Sequence, residues 1–136
     1  MNLLVVLHFS AVAFMAGLIW LIQLVQYPLM SRVGESEFKA YHLAHSTRIS
    51  FIVMPVMLGE LATAVLLFLR EDPAGGRCLL LTLTCFASTA LFSVPCHNRL
   101  SQGFDARVHS RLVSTNWIRT LAWSIHLGVC ASMILR

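Results

Sequence analysis

Histidine is the first chemical signal in this chain: six occur beside two tyrosines and a single lysine. His42 and His45 are three residues apart, a spacing that puts both rings on one face of a helix. Paired donors at that interval present two ligand atoms to one metal in bundle metal sites. The alternative is two solvated histidines at a headgroup boundary. Steps of four and three from Glu60 back through Val56, Val53 and Ile49 reach His45 and His42, so a carboxylate lies on the same face, deep in an apolar run. A charge there costs about 3 kcal/mol on insertion scales and calls for a partner. Glu60 is a ligand or proton acceptor in one reading; in the other it is a structural group bonded to Thr63, Arg119 or a histidine of the last helix.

Pro95-Cys96-His97-Asn98-Arg99 packs a thiol, an imidazole, an amide and a guanidinium into consecutive positions. His97 is the strongest single ligand candidate, and His109 is the fourth histidine of this group. With Glu60 these make a nitrogen- and oxygen-rich set suited to iron first, then copper or zinc. In the last apolar run Asn116, Arg119, Trp123, His126 and Cys130 follow spacings of 3, 4, 3 and 4, a polar stripe expected to face inward. His8, Gln23 and Gln26 form a similar stripe in the first run. His8 and His126 either ligate a haem b from facing helices or are core imidazoles donating to backbone carbonyls. Arg48, Arg99 and Arg119 hold an anionic substrate or haem propionates, or else anchor helices at the headgroups. Asn98, Asn116 and Arg119 then support catalysis around the metal.

The elements that must position these residues are unusual. The 136 residues are 57% hydrophobic and only 12% charged, with a mean hydropathy of +0.75, outside the range of soluble domains. Four apolar stretches, 3–26, 49–69, 78–95 and 112–135, are each near the roughly 20 residues that cross a hydrocarbon core. Their runs do not alternate, which excludes a barrel, so the expected fold is all-α: a single domain over 1–136, a four-helix transmembrane bundle running up-down-up-down. The first stretch lacks a basic leader and a cleavage signal, so it reads as a retained helix.

The second connection, with Glu-Asp-Pro-Ala-Gly-Gly, is a turn, so the longer first and third connections, 27–48 and 96–111, meet at one end. Those connections carry most of the basic residues. The positive-inside rule puts them in the cytoplasm and both termini outside, in a multi-pass protein of a cell membrane, expected to be a bacterial inner membrane. Gly34-Glu35-Ser36-Glu37 followed by Phe38, Tyr41 and Ala44 predicts that the first connection turns helical well before the membrane. Four cysteines without C-x-x-C spacing read as buried thiols rather than a disulfide framework, and no C-x-x-C-H haem attachment exists. A net charge of +4, dispersed through loops, matches anionic headgroups and gives no nucleic-acid footprint.

Leu7-His8, Ala16-Gly17-Leu18-Ile19-Trp20, Tyr27-Pro28-Leu29, Arg48 and Met54-Pro55-Val56-Met57 together resemble the bacterial membrane protoporphyrinogen oxidase family, over about half the chain. That resemblance implies that His8 is the haem-linked histidine that opens the family's first helix. Where the family has a tyrosine-histidine pair in helix three, this chain has Cys96-His97. Gly17, Pro28 and the His/Trp content are also similar to the anthrone-oxygenase-like membrane proteins. Both resemblances imply redox chemistry in a small membrane bundle.

The expectation is therefore a membrane-embedded metal- or haem-dependent oxidoreductase, of oxidase or oxygenase type, acting on a lipophilic or aromatic small molecule from the bilayer. Two other classes stay open. One is a proton- or metal-ion transporter, which would need a homo-oligomer because four helices enclose a thin pathway and no inverted repeat is visible. The other is a structural subunit whose polar stripes pack against partner helices.

Overall fold

A computed structural model describes residues 2–135. Helix α1 (Leu3–Leu21) opens at Asn2, whose side chain accepts from the Leu4 amide. It passes through a π-helical turn (Ile22–Gln26) into the short α2 (Tyr27–Met30). Helix α3 (Glu35–Leu69) is followed by α4 (Gly75–Ser88), a second π-helical turn (Thr89–Ser93), α5 (Val94–Leu100) and α6 (Ala106–Ile134). No strand occurs among the described residues.

The expected helical start at Gly34 is found there, with Glu35 and Glu37 in the first turn, where carboxylates offset the helix dipole. Both long connections shrink as a result. Within those two connections only residues 31–34 and 101–105 lie outside helices, because α3 reaches back past His42 while α5 and α6 extend from either side. Asp105 caps α6 by accepting from the amides of Arg107 and Val108.

Each π turn ends one residue before a proline-containing turn, and the cause is steric. Pro28 and Pro95 have no N–H to give and crowd the carbonyl four residues back. The chain widens just before them, so that the Tyr27 amide bonds to Ile22 and the Val94 amide to Thr89, five residues back. Pro55 is absorbed within α3 without ending it.

The helices close into a ring in which α1 packs on α3 and α6, and α4 packs on the same two. Val12, Met15, Met57, Ala64, Cys85 and Trp123 belong to one core, and Tyr27, Met30, Phe38, Leu100 and Leu112 to a second at the α2–α5 end. The outer surface carries large apolar side chains such as Leu21, Phe51, Leu58, Leu80, Leu91 and Ile125. Glu60, Arg119, Asn116, His8 and His126 are inside. Three helical rods, Leu3–Met30, Glu35–Leu69 and Gly75–Leu100, are long and apolar enough to cross a membrane. Helix α6 spans 29 residues, with its polar stripe turned inward as expected.

Candidate metal centre and lateral cavity

The ring separates the six histidines into two groups. His8 of α1 and His126 of α6 are fully buried, with their Nε2 atoms 3.1 Å apart. Cys78 of α4 and Cys130 of α6 join them, and one donor atom from each of the four lies within 4.8 Å of all the others. His126 and Cys130 share a face because they are one turn apart on α6. The third helix contributes no donor atom to this group; it supplies the residues that stand behind the histidines.

Those residues contact the outer nitrogens of the two rings. Thr63 Oγ1 donates its one proton along its own helix, to Gly59 O (2.8 Å) or Glu60 O (3.0 Å), so it accepts from His8 Nδ1 at 2.8 Å. His8 Nε2 is thereby left as a bare lone pair. His126 Nδ1 lies 3.2 Å from Glu60 Oε1, an ionic contact off the line of a full hydrogen bond. The carboxylate is itself held by Trp123 Nε1 at 3.0 Å and Thr82 Oγ1 at 3.2 Å. A carboxylate beside Nδ1 favours a proton on that nitrogen, which would free the second Nε2 to serve as a ligand atom. At 3.1 Å the two Nε2 atoms are within hydrogen-bond distance, one ring donating to the other; freed of that proton, they and the two thiols would make a four-donor set for a metal ion.

The spacing also decides what kind of centre fits. Two metal–nitrogen bonds of about 2.05 Å on a tetrahedral ion place their nitrogens about 3.3 Å apart. Opposed axial bonds through a haem iron would need about 4.1 Å, with a porphyrin plane between the rings. At 3.1 Å and zero exposure, His8 and His126 fit the tetrahedral edge and leave no room for a macrocycle.

The second group is at the α2–α5 end. His42 Nε2 is 3.1 Å from His97 Nδ1, and His97 Nε2 is 3.4 Å from the Tyr27 hydroxyl. The His45 ring centroid is 6.5 Å from that of His97, while its Nδ1 meets Gln26 Nε2 at 3.3 Å. His109 turns aside to the backbone carbonyl of Tyr27 at 2.8 Å. Glu60 belongs to the other group. Thus His42, His45 and His97 converge as expected, while His109 and Glu60 are placed elsewhere.

Arg119 links the two levels of the bundle. Its guanidinium donates to Tyr27 and Thr89, each at 3.3 Å, and to Asn116, which in turn donates to Gln23 at 2.7 Å. Both π turns serve this network, one supplying Gln23 and the other Thr89. Beside it lies a cavity of about 280 Å³ bounded by α3, the second π turn, α5 and Arg119. His45, His97 and Asn98 line its polar side, and Ile49, Val53 and Met57 its apolar side. Its rim, at Ser50, Met54 and Val94, is exposed on the apolar exterior. Arg48 and Arg99 are exposed and take no part in the network.

Sequence reasoning missed Cys78 and Cys130 as candidate ligands because a buried thiol is usually inert packing. The available signal was the four-residue step from His126 to Cys130, within a stripe already expected to face inward. Comparisons with protein-family models, curated proteins and solved structures find no match for this chain.

Proposed function

We propose that the protein is a membrane-embedded, metal-dependent oxidoreductase whose redox centre is held by His8, Cys78, His126 and Cys130. The observation that carries this reading is the pair of facing imidazole nitrogens, closed by two thiols and backed by Thr63 and Glu60. Two nitrogens and two sulfurs suit copper(I), iron or zinc. Iron or copper would supply one-electron transfer there.

The bilayer reading rests on the three apolar rods and on the inversion of polarity, with apolar side chains outside and ionisable ones within. Helix α6 is taken as the fourth crossing of an up-down-up-down bundle. The ends bearing Arg32, Lys39, Arg48, Arg99, Arg107 and Arg111 are taken as cytoplasmic. A lipophilic substrate then enters the cavity sideways from the bilayer, against His45, His97, Asn98 and Arg119. This agrees with the redox role implied by the resemblances to small membrane oxidases and oxygenases, with a non-haem centre in place of haem.

The deciding experiment is elemental analysis of the purified protein with its absorption spectrum before and after chemical reduction. Iron or copper at about one per chain, no Soret band, and a band that changes on reduction are expected. One zinc per chain with no redox change would overturn the oxidoreductase reading in favour of a structural subunit. The contact of Glu60 with His126 supports ion or proton handling as a second reading. Proton flux in liposomes that is lost on Glu60→Gln, from a protein that retains no metal, would select it.

A further inference from the structure

The lateral cavity is lined by a buried cation that makes no ion pair among the described residues. Arg119 is 8% exposed, and all its hydrogen bonds go to neutral groups: Thr89, Tyr27 and Asn116. Glu60, the buried carboxylate, makes its contacts with His126, Trp123 and Thr82 rather than with Arg119. Arginine stays protonated in any such setting, so it cannot shed its charge as a buried lysine would. An uncompensated buried charge is among the costliest features a fold can carry.

Three donors around the cavity also lack partners. They are Arg119 Nε, Ser46 Oγ from α3 and Ser93 Oγ from the second π turn. Each comes from a different element, and all three residues line the same space. Ser93 is 3% exposed, so solvent does not satisfy it from outside. Unpartnered donors on the lining of one cavity, beside a fixed positive charge, suit a negatively charged oxygen.

The remaining wall is apolar, with Ile22, Ile49, Val53 and Met57 facing the space, and the rim at Met54 and Val94 opens onto the apolar exterior. A volume of about 280 Å³ is at the lower edge of ligand pockets, enough for a small head and the first part of its body. A phospholipid head, with glycerol and a second charged group, would need more room and more polar lining.

We propose that this cavity binds an amphiphile by a single anionic oxygen head, a carboxylate or phenolate on an apolar body. Arg119 is its counter-ion, and Ser46 and Ser93 are its hydrogen-bond donors. The proposal rests on the lateral-entry reading given above and names the substrate class of that site. Two sources offer this chemistry: fatty acids of the bilayer and acidic aromatic compounds.

The test is equilibrium binding to the full chain in phosphatidylcholine nanodiscs, with radiolabelled decanoate, dinitrophenolate and neutral decanol as probes. Saturable binding of decanoate or dinitrophenolate at one per chain is expected, with decanol at least roughly tenfold weaker, as befits loss of a charge-assisted hydrogen bond. Preference between the two anions identifies the source. Arg119→Gln should weaken the anion roughly tenfold or more, and Ser46→Ala with Ser93→Ala severalfold, while leaving decanol unchanged. The serine pair serves if Arg119→Gln fails to fold. Equal binding of decanoate and decanol, or anion binding indifferent to both sets of substitutions, would overturn the proposal. Metal content is measured on the same preparations: anion binding without metal overturns only the redox reading, and metal without anion binding overturns only this one.

Discussion

Glu60 stands directly behind His126, with Oε1 3.2 Å from Nδ1, while its other oxygen takes the indole N–H of Trp123 at 3.0 Å. In the proposed centre, a carboxylate in that position would orient the imidazole without touching the ion, as behind metal-bound histidines generally. Removing its charge while keeping its shape should therefore weaken the metal without abolishing the site. Glu60→Gln is expected to lower metal affinity about 10- to 100-fold, measured by competition with a chelator of known strength. Unchanged affinity would leave Glu60 as a structural group only.

The two thiols assigned to the metal differ from a third that shares their burial. Cys85 is 1% exposed, as is Cys130, but it lies outside the four-donor group. Cys130→Ser and Cys78→Ser are expected to cut metal stoichiometry to a small fraction, whereas Cys85→Ser should retain it in full. Burial alone would treat all three alike, so elemental analysis of the three variants separates a ligand from packing. Metal retained by Cys78→Ser and Cys130→Ser together would sink the assignment.

Metal binding at such a centre competes with protons. The thiols must lose theirs and the imidazole Nε2 atoms must stay bare, so binding releases protons and affinity rises with pH. Acidification is expected to strip the ion progressively from the detergent-solubilised protein, and readdition of metal at neutral pH should restore it. Chelator-accessible metal measured across a pH series is the check. Retention independent of acidity would argue against thiolate ligands.

The all-helical bundle was readable because four long apolar runs leave the backbone no other way to satisfy itself. The helical start at Gly34 was readable too, since Gly34-Glu35-Ser36-Glu37 signals an N-terminus by local chemistry alone. The site was only partly legible. The face shared by Glu60, His45 and His42 is real along one helix, yet Glu60 is drawn to His126 and Trp123, while His42 turns to His97. Helical spacing reports direction around an axis and says little about which neighbouring helix will supply a partner. The meeting of His8 with His126 was raised by two inward stripes; that Cys78 would join them depends on how α4 packs against α6, which no single-helix pattern encodes. The π turns before Pro28 and Pro95 shift the register of everything beyond them, which helps to explain why His97 faces His42 and Tyr27.

The α3–α4 hairpin offers a test of the fold that is independent of the metal. Glu71 has a left-handed φ of 56° just past the end of α3, and the Asp72 amide bonds back to Leu67 O at 3.1 Å, closing the helix. A side-chain-bearing residue pays about 1 kcal/mol or more for that conformation, and glycine does not. Glu71→Gly is therefore expected to stabilise the protein, by a few tenths of a kcal/mol to about 1 kcal/mol once glycine's greater unfolded-state freedom is counted. Gly75 is the opposite case, because a Cβ built there would lie 2.7 Å from Leu67 O and 2.8 Å from Phe68 N. Those are backbone atoms of the facing helix end and cannot swing away, so α3 and α4 would have to separate. Gly75→Ala should cost about 1–3 kcal/mol, in the range of other overpacked contacts. Thermal unfolding in detergent should show the two variants moving the midpoint in opposite directions. A Gly75→Ala protein as stable as the parent would mean that the hairpin is looser than its backbone contacts imply.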